Sequence, residues 1–215
     1  MQVINKQPIL KQELVNSLLH VAGVCFGLIF IPYLLFIASK TTNNIVILAT
    51  SIYGLAFLMV FTFSSLYHGV LQPKIKHLFK ILDHISIYFL IAGTYTPIVV
   101  VFVNTPFGIA LLIALWTLTI MGSLFKLFFT GRFEILSTII YILMGLLLLI
   151  GGERFFIYIP TLVTTLIISG ASLYCIGVIF YLWKKYAYHH AIWHLFVLSA
   201  AICHYFAILI TIKNN

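Results

Sequence analysis

Long runs of apolar residues, separated by short polar stretches, dominate the pattern of this 215-residue sequence. Windows of about 20 apolar residues, the length that spans the hydrocarbon core of a bilayer, can be drawn seven times. They cover residues 17–39, 44–68, 78–103, 107–129, 134–151, 162–183 and 190–212. Because the connections are only a few residues long, they leave no room for a separate soluble domain. The pattern therefore predicts an all-α integral membrane protein, with one seven-helix domain over residues 1–215.

The composition agrees with a membrane protein, since 63% of the residues are hydrophobic and 7% are charged. A soluble globule could not cover its surface with so few polar residues. The net charge of +8 comes from Lys and Arg residues that lie singly or in pairs between the apolar runs. That placement is typical of loops that face anionic lipid. It predicts membrane lipids as partners and argues against nucleic acid, and no protein partner is implied.

The basic residues also predict the orientation, because cytoplasmic loops carry the excess of Lys and Arg. If the N-terminus is cytoplasmic, nine basic residues lie inside and three outside. The inner residues are Lys6, Lys11, Lys74, Lys76, Lys80, Lys126, Arg132, Lys184 and Lys185, and the outer ones are Lys40, Arg154 and Lys213. We therefore predict a multi-pass plasma-membrane protein with a cytoplasmic N-terminus and an outer C-terminus.

Two histidines, His190 and His194, lie four residues apart at the start of the last window. On one helix face they would be about 6 Å apart along the axis and could bind one metal ion. They could equally be interfacial residues among the lipid headgroups. The predicted orientation favours the metal interpretation, because it places His20, His68 and Asp83 at the same cytoplasmic end.

Three imidazoles are predicted to hold one zinc ion, those of His68, His190 and His194. Such a site keeps a fourth position for water, whose pKa zinc can lower to about 7. Asp83 would orient or deprotonate that water, although it could instead form an ion pair with Lys80. Ser64 lies four residues before His68 and could hydrogen-bond the water or a substrate carbonyl, or bond back to a helix carbonyl.

A second set of polar residues could support the histidines from other helices. Glu13, Asn16 and His20 share one helix face and are predicted to fix imidazole orientations as an outer layer of the site, or to act as capping and interfacial residues. Three residues of the sixth window also share a face, namely Gly170, Tyr174 and Gly177. The glycines would permit close helix packing, and the Tyr174 hydroxyl is predicted to reach the site.

Two further histidines are expected to lie outside the metal site. His84 follows Asp83 directly, which places it about 100° away around the helix and predicts that it faces elsewhere. His204 lies about 15 Å along the last helix from His194, too far to share one metal ion.

Taken in order along the chain, these motifs resemble the hemolysin III family, the bacterial branch of the progestin and adiponectin receptor (PAQR) group. The matching segments are Glu13-x-x-Asn16-x-x-x-His20, Ser64-x-x-x-His68, Leu82-Asp83-His84, Ala92-Gly93-Thr94-Tyr95-Thr96-Pro97, Gly170-x-x-x-Tyr174-x-x-Gly177 and His190-x-x-x-His194. The resemblance implies a seven-helix bundle with a cytoplasmic N-terminus. It also implies a cytoplasmic-side zinc ion on the three histidines, with Asp83 and Ser64 near the bound water.

Members of the wider group look like intramembrane hydrolases and include alkaline ceramidases, which cleave a lipid amide. The leading hypothesis is therefore a zinc-dependent hydrolase of a lipid amide or ester. The first alternative is a non-catalytic regulator of membrane homeostasis, in which zinc only joins the second and seventh helices. The second is a channel or cytolysin, as the family name implies. It ranks last because the fourth and fifth windows offer few polar residues for a pore.

The orientation can be tested by cysteine labelling in a background without the native cysteines. A cysteine introduced beside Lys184 should be shielded from an impermeant thiol reagent in intact cells, and one beside Asn214 should be labelled. The reverse labelling pattern would place the histidines on the outer face.

Overall fold

The structure is a computed structural model that describes residues 7–147, 152–183 and 185–215. Two of the basic residues used to predict the orientation, Lys6 and Lys184, lie outside these ranges. So does the end of the fifth apolar window, residues 148–151.

Seven helices of twelve residues or more make up the described ranges, which contain no strand. They are α1 Gln7–Ser39, α2 Asn44–Gly69, α3 Pro73–Phe102, α4 Pro106–Phe129, α5 Glu134–Gly145, α6 Thr161–Leu182 and α7 His189–Lys213. A single-turn helix, Glu153–Phe156, lies between α5 and α6. The all-α prediction with seven main helices is confirmed.

Local sequence signals explain several helix starts. The Asn43 side chain accepts hydrogen bonds from the backbone amides of Ile45 and Val46 and so caps α2. Pro73 and Pro106 occupy the first turns of α3 and α4. Proline is favoured there because the first helical amides have no partner within the helix.

The fifth helix differs from its predicted span. Helix α5 has 12 residues, a length of about 18 Å at the usual helical rise, whereas the hydrocarbon core is about 30 Å thick. The other six helices are each long and apolar enough to cross a membrane. Helix α5 ends at Gly145, whereas the last residues of the predicted window, 148–151, lie outside the described ranges.

The first helix begins ten residues before its predicted window. Hydropathy marks only the apolar part of a helix, whereas α1 includes the polar residues Lys11, Glu13 and Asn16. Glu13 is paired with Lys76 on α3 through a 2.6 Å ion pair. This polar extension lets α1 reach the site described below.

The centre of the bundle is formed by α1, α2, α3 and α7, and α7 also packs closely on α6. Large aromatic side chains fill this centre, and Tyr53, Phe57, Phe61 and Tyr205 are fully buried. A Cβ atom at Gly93 would lie 3.1 Å from the Ala56 Cβ atom, so α2 and α3 approach closely there. Many apolar side chains of α1 and α4 are exposed, as expected for surfaces that face lipid.

Helix α5 is the least closely packed of the seven helices. Three polar contacts join it to α3: Lys80 forms a 3.0 Å ion pair with Glu134, and the Tyr141 hydroxyl donates to the His84 carbonyl at 2.9 Å. At the other end of α5, the Tyr95 hydroxyl donates to the Gly145 carbonyl at 2.7 Å. The space that α5 leaves beside α3, α6 and α7 is a cavity.

Candidate metal centre

The three histidines predicted as metal ligands lie together at one end of the bundle. His68 comes from the last turns of α2, and His190 and His194 come from the first turns of α7. One ring nitrogen from each of them lies within 4.8 Å of the others. We call this end, where α2 ends and α3 and α7 begin, the histidine end.

The spacing of His68 and His194 fits a tetrahedral metal ion. The Nε2 atoms of His68 and His194 are 3.1 Å apart, and two nitrogens on one tetrahedral zinc ion would be about 3.3 Å apart, given Zn–N distances of 2.0–2.1 Å. His68 is 3% exposed and His194 is 5% exposed. His190 is only partly buried, so the three-histidine group is open on the side where this residue lies. The group can therefore bind a metal ion.

His194 is oriented by a second imidazole on α1. The Nε2 atom of His20 lies 2.7 Å from the Nδ1 atom of His194. If the Nε2 atom of His194 is to bind a metal, its Nδ1 atom carries the proton and donates it to His20. His20 is 2% exposed, so this hydrogen bond is shielded from water and fixes the ring of His194.

His68 is oriented by a carboxylate on the polar extension of α1. Its Nδ1 atom donates to the Glu13 carboxylate at 3.3 Å, which leaves its Nε2 atom toward His194. Lys76 donates to the same carboxylate oxygen at 2.6 Å. A carboxylate that orients a histidine through its other nitrogen is common around protein-bound zinc. Glu13 and His20 thus lie where an outer layer of the site was predicted.

Asn16 lies one turn before His20 and is 4% exposed. Its Oδ1 atom and the Nδ1 atom of His20 have no hydrogen-bond partner among the described residues. The structure thus buries Asn16 near the site, whereas its contribution to the outer layer stays a prediction.

Asp83 and Ser64 also meet at the histidine end. The Ser64 side chain lies near the Asp83 carboxylate, and its role as a hydrogen-bond donor stays a prediction. Both residues line the cavity. Lys80 pairs with Glu134 rather than with Asp83, and the described residues show no ion pair of Asp83. The alternative of an Asp83–Lys80 pair is therefore wrong.

The cavity has a volume of about 620 Å³ and runs between α3, α5, α6 and α7. His190, His194, Ser64 and Asp83 line one end of it. Apolar side chains line most of its length, among them Ile87, Leu90, Ile91, Ile98, Ile142, Val178 and Val197. The arrangement places a metal-binding group at the polar end of a largely apolar chamber.

Tyr174 lines the same cavity as the metal group. Its ring lies 5.7 Å from the ring of His204, which helical geometry separates from His194 by about 15 Å. That the Tyr174 hydroxyl reaches the metal group stays a prediction.

The two glycines of the Tyr174 motif have the predicted packing role. A Cβ atom at Gly177 would lie 2.8 Å from Trp193 on α7, and one at Gly170 would lie 2.3 Å from His204. Neither position admits a larger side chain without displacing α7 residues.

Sequence reasoning missed two cavity residues, His84 and Tyr181. His84 was expected to face away from Asp83, but the cavity is wide enough that both residues line it. Its Nδ1 atom donates to the Lys80 carbonyl at 2.6 Å. Tyr181 continues the spacing of Tyr174 and Gly177 along α6, a signal that could have identified it.

Comparisons with known proteins cover most of the chain. The sequence model of a family described as "Haemolysin-III related" matches residues 9–205. The chain is 39% identical over 199 residues to "Hemolysin-3" of Bacillus cereus, covering 93% of this chain and 91% of that protein. It is 36% identical over 200 residues to the "Hemolysin-3 homolog" of Bacillus subtilis (strain 168), covering 93% and 94%. The human "Monocyte to macrophage differentiation factor" is 28% identical over 172 residues, covering 73% and 67%.

Substitutions of the histidines should separate ligands from orienting residues. We expect His190→Ala to lose the bound metal, because two imidazoles alone hold it weakly. His20→Phe should retain the site with affinity lowered by about 10–100-fold, the usual effect of removing an outer-layer partner. Metal content and competition with a fluorescent chelator measure both effects.

His189→Ala is the matched control, because His189 is the neighbour of His190 but is not part of the three-histidine group. Its Nδ1 atom instead donates to the Phe180 carbonyl at 3.1 Å. It should keep the wild-type metal content. Wild-type metal content in His190→Ala would contradict the assignment of the ligands.

Proposed function

We propose that this chain, which belongs to the haemolysin-III-related family, is a zinc-dependent intramembrane hydrolase of a lipid amide or ester. One observation carries the proposal. The three-histidine group and the Ser64–Asp83 pair lie together at the end of a cavity that is largely apolar. A hydrolase of lipids needs both an activated water and a chamber for the hydrocarbon chain.

The donor set favours zinc. Three neutral imidazole nitrogens suit zinc, and three protein ligands with one open position are typical of its catalytic sites. His68, His190 and His194 would hold the ion. When bound, zinc would polarise the scissile carbonyl and make a water molecule a better nucleophile at neutral pH.

Asp83 is the residue that would accept the proton of the attacking water. Its carboxylate lies near Ser64 and is not paired with Lys80, which pairs with Glu134. A carboxylate near the metal group can act as a general base. Ser64 would position Asp83 by donating a hydrogen bond to its carboxylate.

The cavity suits one hydrocarbon chain. Its volume of about 620 Å³ falls in the range of about 300–1,000 Å³ typical of small-molecule sites. A second cavity of about 300 Å³ adjoins it and shares Gly145, Leu146, Ile167, Ala171 and Cys175. These residues belong to the ends of α5 and to α6, so a lipid would enter from the bilayer between those two helices.

We place the site at the cytoplasmic side of the plasma membrane, on the basis of the basic residues. Lys76 and Lys80 of α3, together with Lys126 of α4 and Arg132, lie at the histidine end, as the positive-inside rule requires of a cytoplasmic surface.

A non-catalytic role has one observation in its favour. Helices α2 and α7 make few direct contacts, so a metal held by His68, His190 and His194 would join two helices that are otherwise weakly connected. In that case the metal would stabilise the bundle of a membrane regulator. The name of the Bacillus cereus relative suggests lysis instead, for which the described residues offer no separate support.

Asp83→Asn distinguishes hydrolysis from a structural role of the metal. The substitution keeps the shape of the side chain but removes its charge and its ability to accept a proton. We expect the variant to retain its metal and its melting temperature, and to lose about 10²–10⁴-fold in lipid turnover, the usual contribution of a general base. Metal analysis, thermal melting and lipid mass spectrometry measure the three quantities.

The control is His190→Ala, in which metal and turnover should be lost together. If the metal has only a structural role, lipid turnover should follow metal content in both variants. Full turnover in metal-loaded Asp83→Asn would remove Asp83 from the mechanism.

A further inference from the structure

The polar end of the cavity contains an imidazole that the proposed chemistry does not use. His84 on α3 lines the cavity, as does its neighbour Asp83. The Nδ1 atom of His84 donates to the Lys80 carbonyl, one turn earlier on the same helix, at 2.6 Å. In a neutral imidazole one nitrogen is a donor and the other is an acceptor. This hydrogen bond therefore leaves the Nε2 atom of His84 as an acceptor.

The Nε2 atom of His84 has no hydrogen-bond partner among the described residues. His84 is only partly buried, and its Nε2 atom is not one of the unpartnered atoms sealed inside the bundle, such as the Tyr174 hydroxyl and the Lys126 Nζ atom. Because Nδ1 faces the backbone of α3, Nε2 at the far side of the ring points away from that backbone. The Tyr141 hydroxyl is engaged by the His84 carbonyl. The acceptor is thus available to a molecule bound in the cavity.

The lining of the cavity along α3 changes from polar to apolar directly after His84. The polar residues at the histidine end are Lys80, Asp83 and His84, and the apolar ones that follow are Ile87, Leu90 and Ile91. His84 also lies near His190 of the three-histidine group. A lipid that packs its hydrocarbon chain against the apolar part of this wall would therefore have its carbonyl group at the border, beside His84.

An acceptor at this border favours a ligand that carries a donor. A simple ester or a tertiary amide offers only acceptors, so either would bury the Nε2 atom of His84 without a partner, which is unfavourable. A secondary amide has an N–H group next to its carbonyl, and a hydroxyl group on a neighbouring carbon can serve in the same way. The chemistry shared by these lipids is a donor beside the carbonyl group.

We propose that the Nε2 atom of His84 accepts a hydrogen bond from an N–H or O–H group beside the carbonyl of the bound lipid. His84 is then a specificity-determining residue, which favours secondary amides, and esters with a neighbouring hydroxyl, over lipids that lack a donor there. This inference rests on the proposed function, because it assumes that the cavity holds a lipid whose carbonyl lies near the three-histidine group.

The test uses two ketones, which cannot be hydrolysed, so that binding is measured apart from turnover. Calorimetry compares dodecyl hydroxymethyl ketone with dodecyl methoxymethyl ketone on the purified, metal-loaded protein in detergent. We expect the hydroxymethyl ketone to bind roughly three- to tenfold more tightly, the effect of one net neutral hydrogen bond. His84→Phe should lose most of this preference, and its metal content and melting temperature show whether it is folded.

His189→Phe is the matched control. His189 lines the same cavity, and its Nδ1 atom donates to the Phe180 carbonyl at 3.1 Å, so it also presents an acceptor nitrogen, but from α7. This variant should keep the preference for the hydroxymethyl ketone. Equal affinities of the wild type for the two ketones would overturn the inference, whether or not His84→Phe folds. So would a preference that is lost in His189→Phe and kept in His84→Phe.

Turnover identifies the donor and tests the hydrolase proposal separately. If the amide N–H is the donor, N-methyl dodecanamide should be cleaved in preference to its N,N-dimethyl analogue. If a neighbouring hydroxyl is the donor, hydroxyethyl dodecanoate should be cleaved in preference to methoxyethyl dodecanoate. No turnover of any of the four, with the preference between the ketones intact, would contradict the hydrolase proposal and leave His84 as the acceptor for the ligand.

Discussion

The structure depends on how three imidazole groups are accommodated inside an apolar bundle. Polar side chains within a membrane are costly, and each of their nitrogens needs a partner. One ring nitrogen of His68 bonds to Glu13, and one ring nitrogen of His194 bonds to His20, both on α1. The other ring nitrogens of His68 and His194 face each other. One metal ion bound among the three histidines would satisfy all three rings at once. The three-histidine group and its orienting partners therefore bring helices α1, α2 and α7 together at this end.

The same constraint links the site to the cavity. Asp83 lies near Ser64 on α2 and is not paired with Lys80, which forms an ion pair with Glu134 on α5. That ion pair also holds α5, the most loosely packed helix, beside α3. A chamber is left between them, lined by the histidines His190 and His194 and, farther along α7, by His204. The polar contacts thus shape an apolar space suited to a lipid chain.

Much of this arrangement could be predicted from the sequence, for physical reasons that differ between residues. Hydropathy identified six full spans, and four-residue spacing placed His190 with His194 and Ser64 with His68 on shared faces. Hydropathy failed for the polar start of α1, because it does not register polar residues that are paired inside a bundle. Spacing within one helix could not give the relative depth of two helices, which is why it could not decide whether Tyr174 on α6 reaches the histidines on α7.

The central claim is that three histidines and no other protein group bind the metal. X-ray absorption spectroscopy at the zinc edge of the purified protein tests it most directly. The account predicts three nitrogen ligands at about 2.0–2.1 Å, with the imidazole scattering pattern, and one oxygen ligand at a similar distance. A first shell that contains sulfur, or one made only of oxygen ligands, would contradict it.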